Sequence, residues 1–250
     1  MLLRLHLLLA FGYHKQSPRR TVHTAKMAMS SAKLPRVDFE STETVGSTRW
    51  MRLETLSYHV ADSDSGSAVR KWDRAVRTTK QSEDSIDAVV ILAILRHDPN
   101  DNSRDEILCV KQYRPPVDAF TVELPAGLID CGEEPAMAAI RELKEETGFI
   151  GKVLTLSPPS YLSPGLTNES ACMVGVEVDM TVDANIQNYK NLKAHHDGLE
   201  ECERDRGLEK LTIPRVGMLK ALHDMQEKDG LKVFASLYSF ALGLSLGEGK

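Results

Sequence analysis

The stretch of the sequence that decides the fold begins at Gly127 and ends at Phe149, and it reads GLIDCGEEPAMAAIRELKEETGF. Its central part predicts a helix over residues 134–147. Pro135 is tolerated in the first turn of a helix, and Gly148 is the type of residue that commonly follows a helix end. The stretch therefore predicts a loop followed by one helix.

The predicted helix has two faces of different character. Apolar residues recur at helical spacing and predict a face directed toward a sheet: Ala136, Ile140 and Leu143. Carboxylates share another face: Glu142, Glu145 and Glu146. Like charges at this spacing destabilise a helix, whereas clustered carboxylate oxygens are ligands that Mg²⁺ accepts. From the carboxylates alone, a solvated acidic face and a metal site are both open.

The fixed spacing within the stretch favours the metal site. Gly127, Glu133, Arg141 and Gly148, together with the carboxylates, stand at the offsets of the Nudix box, which this stretch resembles. Phe149 departs from the pattern, because the family prefers an aliphatic residue there. The resemblance implies an α/β fold, the Nudix α/β/α sandwich, here with an N-terminal β-hairpin region.

The resemblance also implies roles for individual side chains. Glu142 and Glu146 are the expected ligands of Mg²⁺, with Mn²⁺ as an alternative, and Glu145 assists them directly or through water. The main-chain carbonyl of Ala126 is a further expected ligand. Arg141 is expected to orient a carboxylate of the loop or of the metal site. The implied chemistry is hydrolysis of a diphosphate bond by a metal-activated water.

Three other segments narrow the choice within the family. KQYRPP at 111–116, ELPAG at 123–127 and SPGLTNE at 163–169 resemble the ADP-sugar pyrophosphatase branch. This resemblance implies that ADP-ribose or another ADP-sugar is cleaved to AMP and a sugar phosphate. Two alternatives stay open: another substrate, such as an oxidised nucleotide, and a non-catalytic ADP-ribose sensor.

The two tryptophans of the chain, Trp50 and Trp72, occupy positions that look like those of the eukaryotic members of this branch. In those proteins two Trp rings, one from each subunit of a homodimer, sandwich adenine. For each Trp ring, the alternative is an anchor in the core or at an interface. For the arginines at positions 77 and 114, the alternative is a surface ion pair. The resemblance places further residues at the substrate: Asp73, Arg77, Arg114, Leu128, Ser163 and Gly165.

The general base is expected in a late, strongly charged loop. The segment from His195 to Gly207 contains three candidates, Glu200, Glu201 and Glu203, of which we prefer Glu201. A solvated loop without a catalytic role is the alternative.

The composition excludes some classes of function. The chain has 250 residues and a formal net charge of −5, so it lacks the basic balance of a non-specific nucleic-acid binder. Its four cysteines are widely spaced and form no CxxC motif, which argues against a zinc site.

The first 37 residues differ from the rest because they contain no Asp or Glu. This composition predicts a mitochondrial transit peptide. The alternatives are a non-targeting extension of a cytoplasmic protein and a secretory signal. Leu2 to Tyr13 is too short to span a membrane, and we expect no membrane span.

The remaining pattern predicts the other elements. A turn-like stretch at 43–47 precedes a hairpin formed by residues 50–56 and 68–79. Further strands are predicted at 85–96, 106–113, 120–124, 153–162, 170–180 and 207–213, helices at 214–227 and 233–246, and a long loop at 183–205. We therefore divide the chain into an extension (1–37), a hairpin region (38–80) and a hydrolase domain (81–248).

Overall fold

The computed structural model describes residues 36–61, 68–194 and 207–248, and these residues form two sheets and the helices around them. The first sheet has the order β1 (Val37–Ser47), β2 (Met51–Val60), β3 (Arg70–Arg77). The second sheet contains β4 (Ala88–Arg96), β5 (Glu106–Arg114), β6 (Ala119–Glu123), β7 (Ala126–Leu128), β8 (Lys152–Leu156), β9 (Ser160–Tyr161), β10 (Ser170–Asp179), β11 (Glu209–Pro214) and β12 (Lys232–Val233). The helices are α1 (Pro135–Thr147), α2 (Asp183–Ala194), α3 (Met218–Asp229) and α4 (Ala235–Glu248).

The larger sheet is mixed, with the order β12-β6-β5-β4-β10-β8. At its centre β4 runs parallel to β10, with Ala88 opposite Ala171, and antiparallel to both β5 and β7. A central strand that is covered on both faces needs apolar residues at successive positions. This explains the continuous apolar run AVVILAIL in β4.

The side chains of β4 alternate between two hydrophobic cores, one on each face of the sheet. The first core joins β4 and β10 to α1 and α2 through Val89, Ile91, Ala138, Leu143, Val174 and Tyr189. The second joins the opposite face to α3 and α4 through Ala88, Val90, Met218, Leu222, Leu237 and Ala241. Helices therefore cover both faces, and the predicted α/β/α sandwich is confirmed.

Helix α1 has the predicted start and end. Pro135 is its first residue, and Gly148 follows it at φ 73°, a left-handed conformation that glycine adopts at little cost. The backbone N–H of Gly148 donates to the carbonyl of Lys144 at 2.8 Å. Of the predicted apolar face, Leu143 is buried and the partly buried Ile140 packs against the core, whereas Ala136 is partly buried and is not part of that core. The buried face consists of Ala138, Ala139, Leu143 and Thr147.

The N-terminal sheet contains the predicted hairpin and one strand more. β2 and β3 are antiparallel, with Leu56 opposite Trp72. The turn predicted at 43–47 was wrong, because these residues lie in β1, which pairs with β2 along its whole length. Polar residues are tolerated in β1 because it is an exposed edge strand. Its sequence therefore lacks the apolar pattern by which a strand is predicted.

The predicted loop at 183–205 was wrong in its first half, which forms α2. This helix is attached through polar contacts as well as apolar ones. The amide of the buried Asn185 bonds to the N–H and the carbonyl of Ile150 and to the carbonyl of Asp179, each at 2.9 Å. Asn188 donates to the carbonyl of Thr147 at the end of α1. A search for apolar periodicity does not detect such attachments.

Two smaller predictions also needed correction. Pro214 does not begin a helix: it ends β11 opposite Glu106, and α3 starts at Met218. The single strand predicted at 153–162 is divided into β8 and β9, because Pro158 and Pro159 lack the N–H that a continuous ladder needs.

Of the predicted extension at 1–37, residues 1–35 lie outside the described residues. Mitochondrial or cytoplasmic localisation therefore stays a prediction, as do the proposed domain bounds. None of the helices in the described ranges has the length and apolar character that crossing a membrane requires.

The burial of α1 leads to a stability prediction. Leu143 is fully buried against the sheet, so Leu143→Ala should lower the free energy of unfolding by about 2–5 kcal/mol in urea denaturation. Met137, on the same helix, is 63% exposed, and Met137→Ala should change it by less than about 0.5 kcal/mol. Equal losses for both variants would contradict the packing of this helix.

Candidate active site

Arg141 lies at the centre of the candidate site and binds both the loop before α1 and the helix itself. Its Nε and Nη2 donate to the two carboxylate oxygens of Glu133 at 3.0 and 2.8 Å, and Nη2 also donates to the carbonyl of Leu128 at 3.0 Å. Its Nη1 donates to Glu142 at 2.7 Å and to Glu145 at 3.2 Å. One guanidinium thus connects the loop to two of the predicted metal ligands.

The charges in this group shift one another's pKa. The hydrogen bond from Arg141 lowers the pKa of Glu133. The pKa of Arg141 rises because of its hydrogen bonds to Glu133 and Glu142. Both groups are therefore charged at neutral pH, and the loop carrying Leu128 and Glu133 is held to the helix by charge-assisted bonds.

Glu142 packs directly against the backbone of Gly127. A Cβ atom at position 127 would lie 1.9 Å from the carboxylate carbon of Glu142, so a side chain there would displace this carboxylate. Burial raises the pKa of Glu142, Arg141 opposes the rise, and the charges of Glu145 and Asp130 add to it. The glycine therefore provides the space in which a partly buried carboxylate is held.

Glu146 reaches the same short strand from the next turn of the helix. Its Oε2 accepts a hydrogen bond from the backbone N–H of Ala126 at 3.1 Å. Glu142 and Glu146 therefore approach neighbouring residues of β7, 126 and 127, whereas Glu145 is largely exposed. The structure brings Ala126, Glu142 and Glu146 together.

The donor chemistry of this group fits a divalent cation with oxygen ligands. A nearby cation would stabilise the charged form of Glu142, which burial and neighbouring carboxylates disfavour. As these side chains stand, with Arg141 taking oxygens of Glu142 and Glu145, no three Asp, Glu, His or Cys side chains among the described residues are grouped to hold a metal. The oxygen donors and the negative charge of this group fit a divalent cation. Glu142 and Glu146 are the residues that could bind it.

Arg114, at the end of β5, is held by a second carboxylate. Its Nε and Nη2 donate to the two oxygens of Glu123 at 2.8 and 2.7 Å. Burial disfavours the charge of Glu123, but hydrogen bonds from Arg114 and Thr121 outweigh burial and lower its pKa. The pKa of Arg114 is raised by Glu123 and further by the charges of Glu146 and Glu169. Arg114 is therefore close enough to Glu146, a candidate metal ligand, for the two charges to interact.

The segment that contains Ser163 and Gly165 lies along β3. Ser163 begins a turn in which its carbonyl accepts from the N–H of Leu166 at 2.9 Å. The indole Nε1 of Trp72 donates to the carbonyl of Gly165 at 3.2 Å, and the N–H of Ala75 donates to the carbonyl of Leu166 at 2.9 Å. A cavity of about 240 Å³ opens beside this contact, lined by Leu56, Trp72, Arg74, Tyr161, Pro164, Leu166, Thr167 and Asn168.

The two tryptophans are both half exposed, Trp50 at 59% and Trp72 at 50%. They lie at opposite ends of the N-terminal sheet, because the carbonyl of Trp50 bonds to the N–H of Thr78 while Trp72 lies opposite Leu56. Six residues along a strand correspond to about 20 Å, so the two rings of one chain are too far apart to sandwich one base.

The remaining predicted residues have different surroundings. Asp73 accepts a hydrogen bond from Thr55 on the neighbouring strand at 2.6 Å, which is a contact within the sheet. Leu128 is partly exposed at the box loop. Arg77 pairs with Glu169 at 2.5 Å. Glu201 lies outside the described residues, so its role as general base stays a prediction.

Sequence reasoning missed Glu123, Glu169 and Tyr161. Glu123 and Glu169 were part of the segments that carried the family resemblance, and each turned out to bind an arginine already proposed as a substrate ligand. The place of both carboxylates in these segments was a signal that sequence reasoning could have used. Tyr161 has no local signal of this kind.

Comparison with known proteins agrees with this geometry. The family model described as NUDIX domain matches residues 87–203. The chain is 42% identical to the ADP-ribose pyrophosphatase of Saccharomyces cerevisiae over 166 residues, 66% of this chain and 68% of that one. It is 30% identical to the ADP-sugar pyrophosphatase of Mus musculus over 210 residues, 84% of this chain and 88% of that one.

A solved structure described as an ADP compounds hydrolase superposes with a TM-score of 0.55 at 20% identity, covering 88% of this chain and 99% of that chain. This likeness shows the fold alone. The family match and the two relatives identify the chain: it belongs to the Nudix hydrolase family.

The close approach of Glu142 to Gly127 leads to a prediction for this hydrolase. Gly127 lies outside the left-handed region, so Gly127→Ala leaves the backbone unstrained and acts by displacing the carboxylate. Activity and metal affinity should fall about 10- to 100-fold, as for other residues that support a metal ligand. Steady-state kinetics across a metal titration measures both.

Gly243→Ala, in helix α4, is the matched control, because a Cβ atom there meets nothing within 4 Å. It should retain wild-type kinetics. Full activity in Gly127→Ala would show that the position of Glu142 does not matter for the reaction.

Proposed function

We propose that the protein hydrolyses the diphosphate bond of ADP-ribose and related ADP-sugars in a Mg²⁺-dependent reaction, giving AMP and a sugar phosphate. The observation that carries this proposal is the carboxylate group organised by Arg141, in which Glu142 is seated against Gly127. The printed names of the relatives from yeast and mouse support the choice of substrate.

The metal, Mg²⁺ or alternatively Mn²⁺, would be held by Glu142, Glu146 and the carbonyl of Ala126, with Glu145 assisting through water. When bound, a divalent cation neutralises diphosphate oxygens and lowers the pKa of a water molecule. Arg141 holds Glu142 and the loop in place and does not itself contact the substrate in this scheme.

The other residues of the chain bind and orient the substrate. Arg114 presents a guanidinium whose direction is fixed by Glu123, so little conformational entropy is lost when it binds a diphosphate oxygen. Arg77 is a second ligand for the diphosphate or the base. Glu201 is the proposed general base that removes a proton from the attacking water, with Glu200 and Glu203 as alternatives.

Adenine stacking requires a homodimer in this proposal. The distance between the tryptophans within one chain supports a sandwich in which Trp50 of one subunit and Trp72 of the other enclose the base. Large apolar side chains on the N-terminal sheet are exposed and could form the dimer contact: Phe39, Val45, Met51 and Leu53.

Product analysis on a substrate panel tests the activity. The full chain is incubated with Mg²⁺ and ADP-ribose, ADP-glucose, NADH, diadenosine polyphosphates or oxidised guanosine diphosphate, and the products are separated by chromatography. We expect ADP-ribose to be cleaved fastest, to AMP and ribose 5-phosphate. Glu146→Gln should give no product while still binding nucleotide, because it removes a charged ligand of the metal.

Two results of the panel would replace the proposal. Faster cleavage of the oxidised nucleotide would make the protein a Nudix hydrolase of another substrate class. Binding of ADP-ribose without any cleavage would make it a sensor.

The base sandwich is tested with Trp72. Trp72→Ala should raise KM for ADP-ribose about 10- to 100-fold and change kcat less, because stacking on an aromatic ring contributes about 1–3 kcal/mol per base, mostly as uniform binding. Trp72→Phe is the control: it loses the bond to Gly165 but keeps an aromatic ring, so most of the affinity should remain. Equal KM values for both variants would contradict stacking.

Mixing variants tests whether the sandwich is shared between subunits. A heterodimer of Trp50→Ala and Trp72→Ala chains contains one site with both rings and one with neither. A random mixture should therefore regain about one quarter of wild-type activity at low substrate concentration, although each variant alone is impaired. A mixture that is no more active than its components would contradict the shared site.

A further inference from the structure

Glu169 is a carboxylate in the cleft, here the solvent-facing region around Arg77 and Arg114, and neither the metal site nor the base sandwich uses it. It directly precedes β10, and its Oε1 accepts from Nε of Arg77 at 2.5 Å. Its backbone is fixed on both sides, because its N–H donates to the hydroxyl of Thr167 and its carbonyl accepts from Leu162. The carboxylate is therefore held at a defined place beside Arg77.

Both arginines near Glu169 are accessible to a ligand. The side chain of Arg77 is 42% exposed and that of Arg114 is 46% exposed, whereas the side chain of Glu169 is only 18% exposed. The charge of Glu169 also contributes to the raised pKa of Arg114. Glu169 therefore pairs with Arg77 directly and acts on Arg114, whose partner is Glu123, through its charge alone.

An ion pair at this place has a consequence for anion binding. A phosphate group that approaches Arg77 must compete with Glu169 for the guanidinium and is also repelled by the carboxylate charge. Partly exposed ion pairs contribute little net stability, so an incoming polyanion can displace such a carboxylate.

We propose that Glu169 is a positioning residue that acts as a built-in substitute for a phosphate: it holds Arg77 at the cleft until the diphosphate of the ligand displaces it. This inference rests on the proposed function for the identity of the substrate, but the anion site itself does not depend on catalysis. The carboxylate sets the affinity of the cleft for diphosphate and weakens the binding of anions that cannot displace it.

Binding of inorganic pyrophosphate to the full chain, measured by calorimetry without metal, tests this role. Glu169→Gln removes the competing charge, so the Kd should fall about two- to fivefold, which is the value of an ion pair of this exposure. KM for ADP-ribose should fall by a similar factor, with a smaller change in kcat. Glu169→Ala should behave in the same way, and it provides the test if the glutamine variant does not fold.

Two controls separate this effect from a general change in net charge. Glu177→Gln removes the same charge from the far end of β10, the strand that follows Glu169, where Glu177 lies 3.7 Å from Arg96; its Kd should equal the wild-type value. In an Arg77→Met background, Glu169→Gln should have a clearly smaller effect, because the guanidinium for which it competes is gone and only the repulsion by the carboxylate charge is relieved.

Several results would overturn the inference. Weaker or unchanged pyrophosphate binding by the Glu169 variants would mean that the carboxylate only orients Arg77 or only joins two segments. If Glu169→Gln raised pyrophosphate affinity equally in the Arg77→Met background, the effect would come from long-range repulsion and not from competition for Arg77. If the wild type cleaves no ADP-ribose, the proposed function fails, whereas the pyrophosphate titration still decides the role of Glu169.

Discussion

The hydrogen bonds of Arg141 are the interaction on which the site depends. Three glutamates on one face of a helix repel one another, and this repulsion would destabilise α1 if nothing compensated it. Arg141 binds two of them and also holds Glu133 and the carbonyl of Leu128. The same guanidinium therefore offsets the repulsion within the acidic helix and fixes the loop that precedes it. The stability of the helix and the geometry of the site both depend on this side chain.

The central sheet determines where this acidic group lies. Because β4 is apolar at nearly every position, it is covered by helices on both faces, and α1 is held against it by Leu143 and its neighbours. β7 pairs with β4 at Val89 and Val90, which brings Ala126 and Gly127 beneath the carboxylates of α1. The candidate metal ligands therefore lie beside a short strand that pairs with the buried strand β4.

Features encoded by neighbouring residues could be predicted from the sequence. The ends of α1 follow from Pro135 and Gly148, and the acidic face follows from helical spacing alone. The buried face was less well predicted, because which of the alanines faces the sheet depends on how the helix docks. Helix α2 was missed because Asn185 attaches it by bonds to residues far along the chain.

In the candidate site, too, some residues could be predicted from the sequence and others could not. The carboxylates, Arg141 and Arg114 stand in motifs, so the sequence was sufficient to name them. The partners that hold the arginines depend on tertiary structure: Glu123 faces Arg114 only because β5 and β6 are paired, and Glu169 faces Arg77 only because its segment lies along β3. Periodicity and spacing contain no information about such pairings.

A common principle connects these contacts. Four arginines of the described residues are each held by a carboxylate: Arg141 by Glu133, Arg114 by Glu123, Arg77 by Glu169, and Arg74 by Glu54. A free arginine side chain loses considerable rotamer entropy when it binds a phosphate, and an arginine that is already held loses less. The carboxylate that holds the arginine also competes with the phosphate for the guanidinium, however. The smaller loss of rotamer entropy is therefore offset by a weaker attraction for the phosphate. Burial decides the balance: the buried Glu123 leaves Arg114 as a fixed donor, whereas the Arg77–Glu169 pair, with a more exposed carboxylate, can be opened by a ligand.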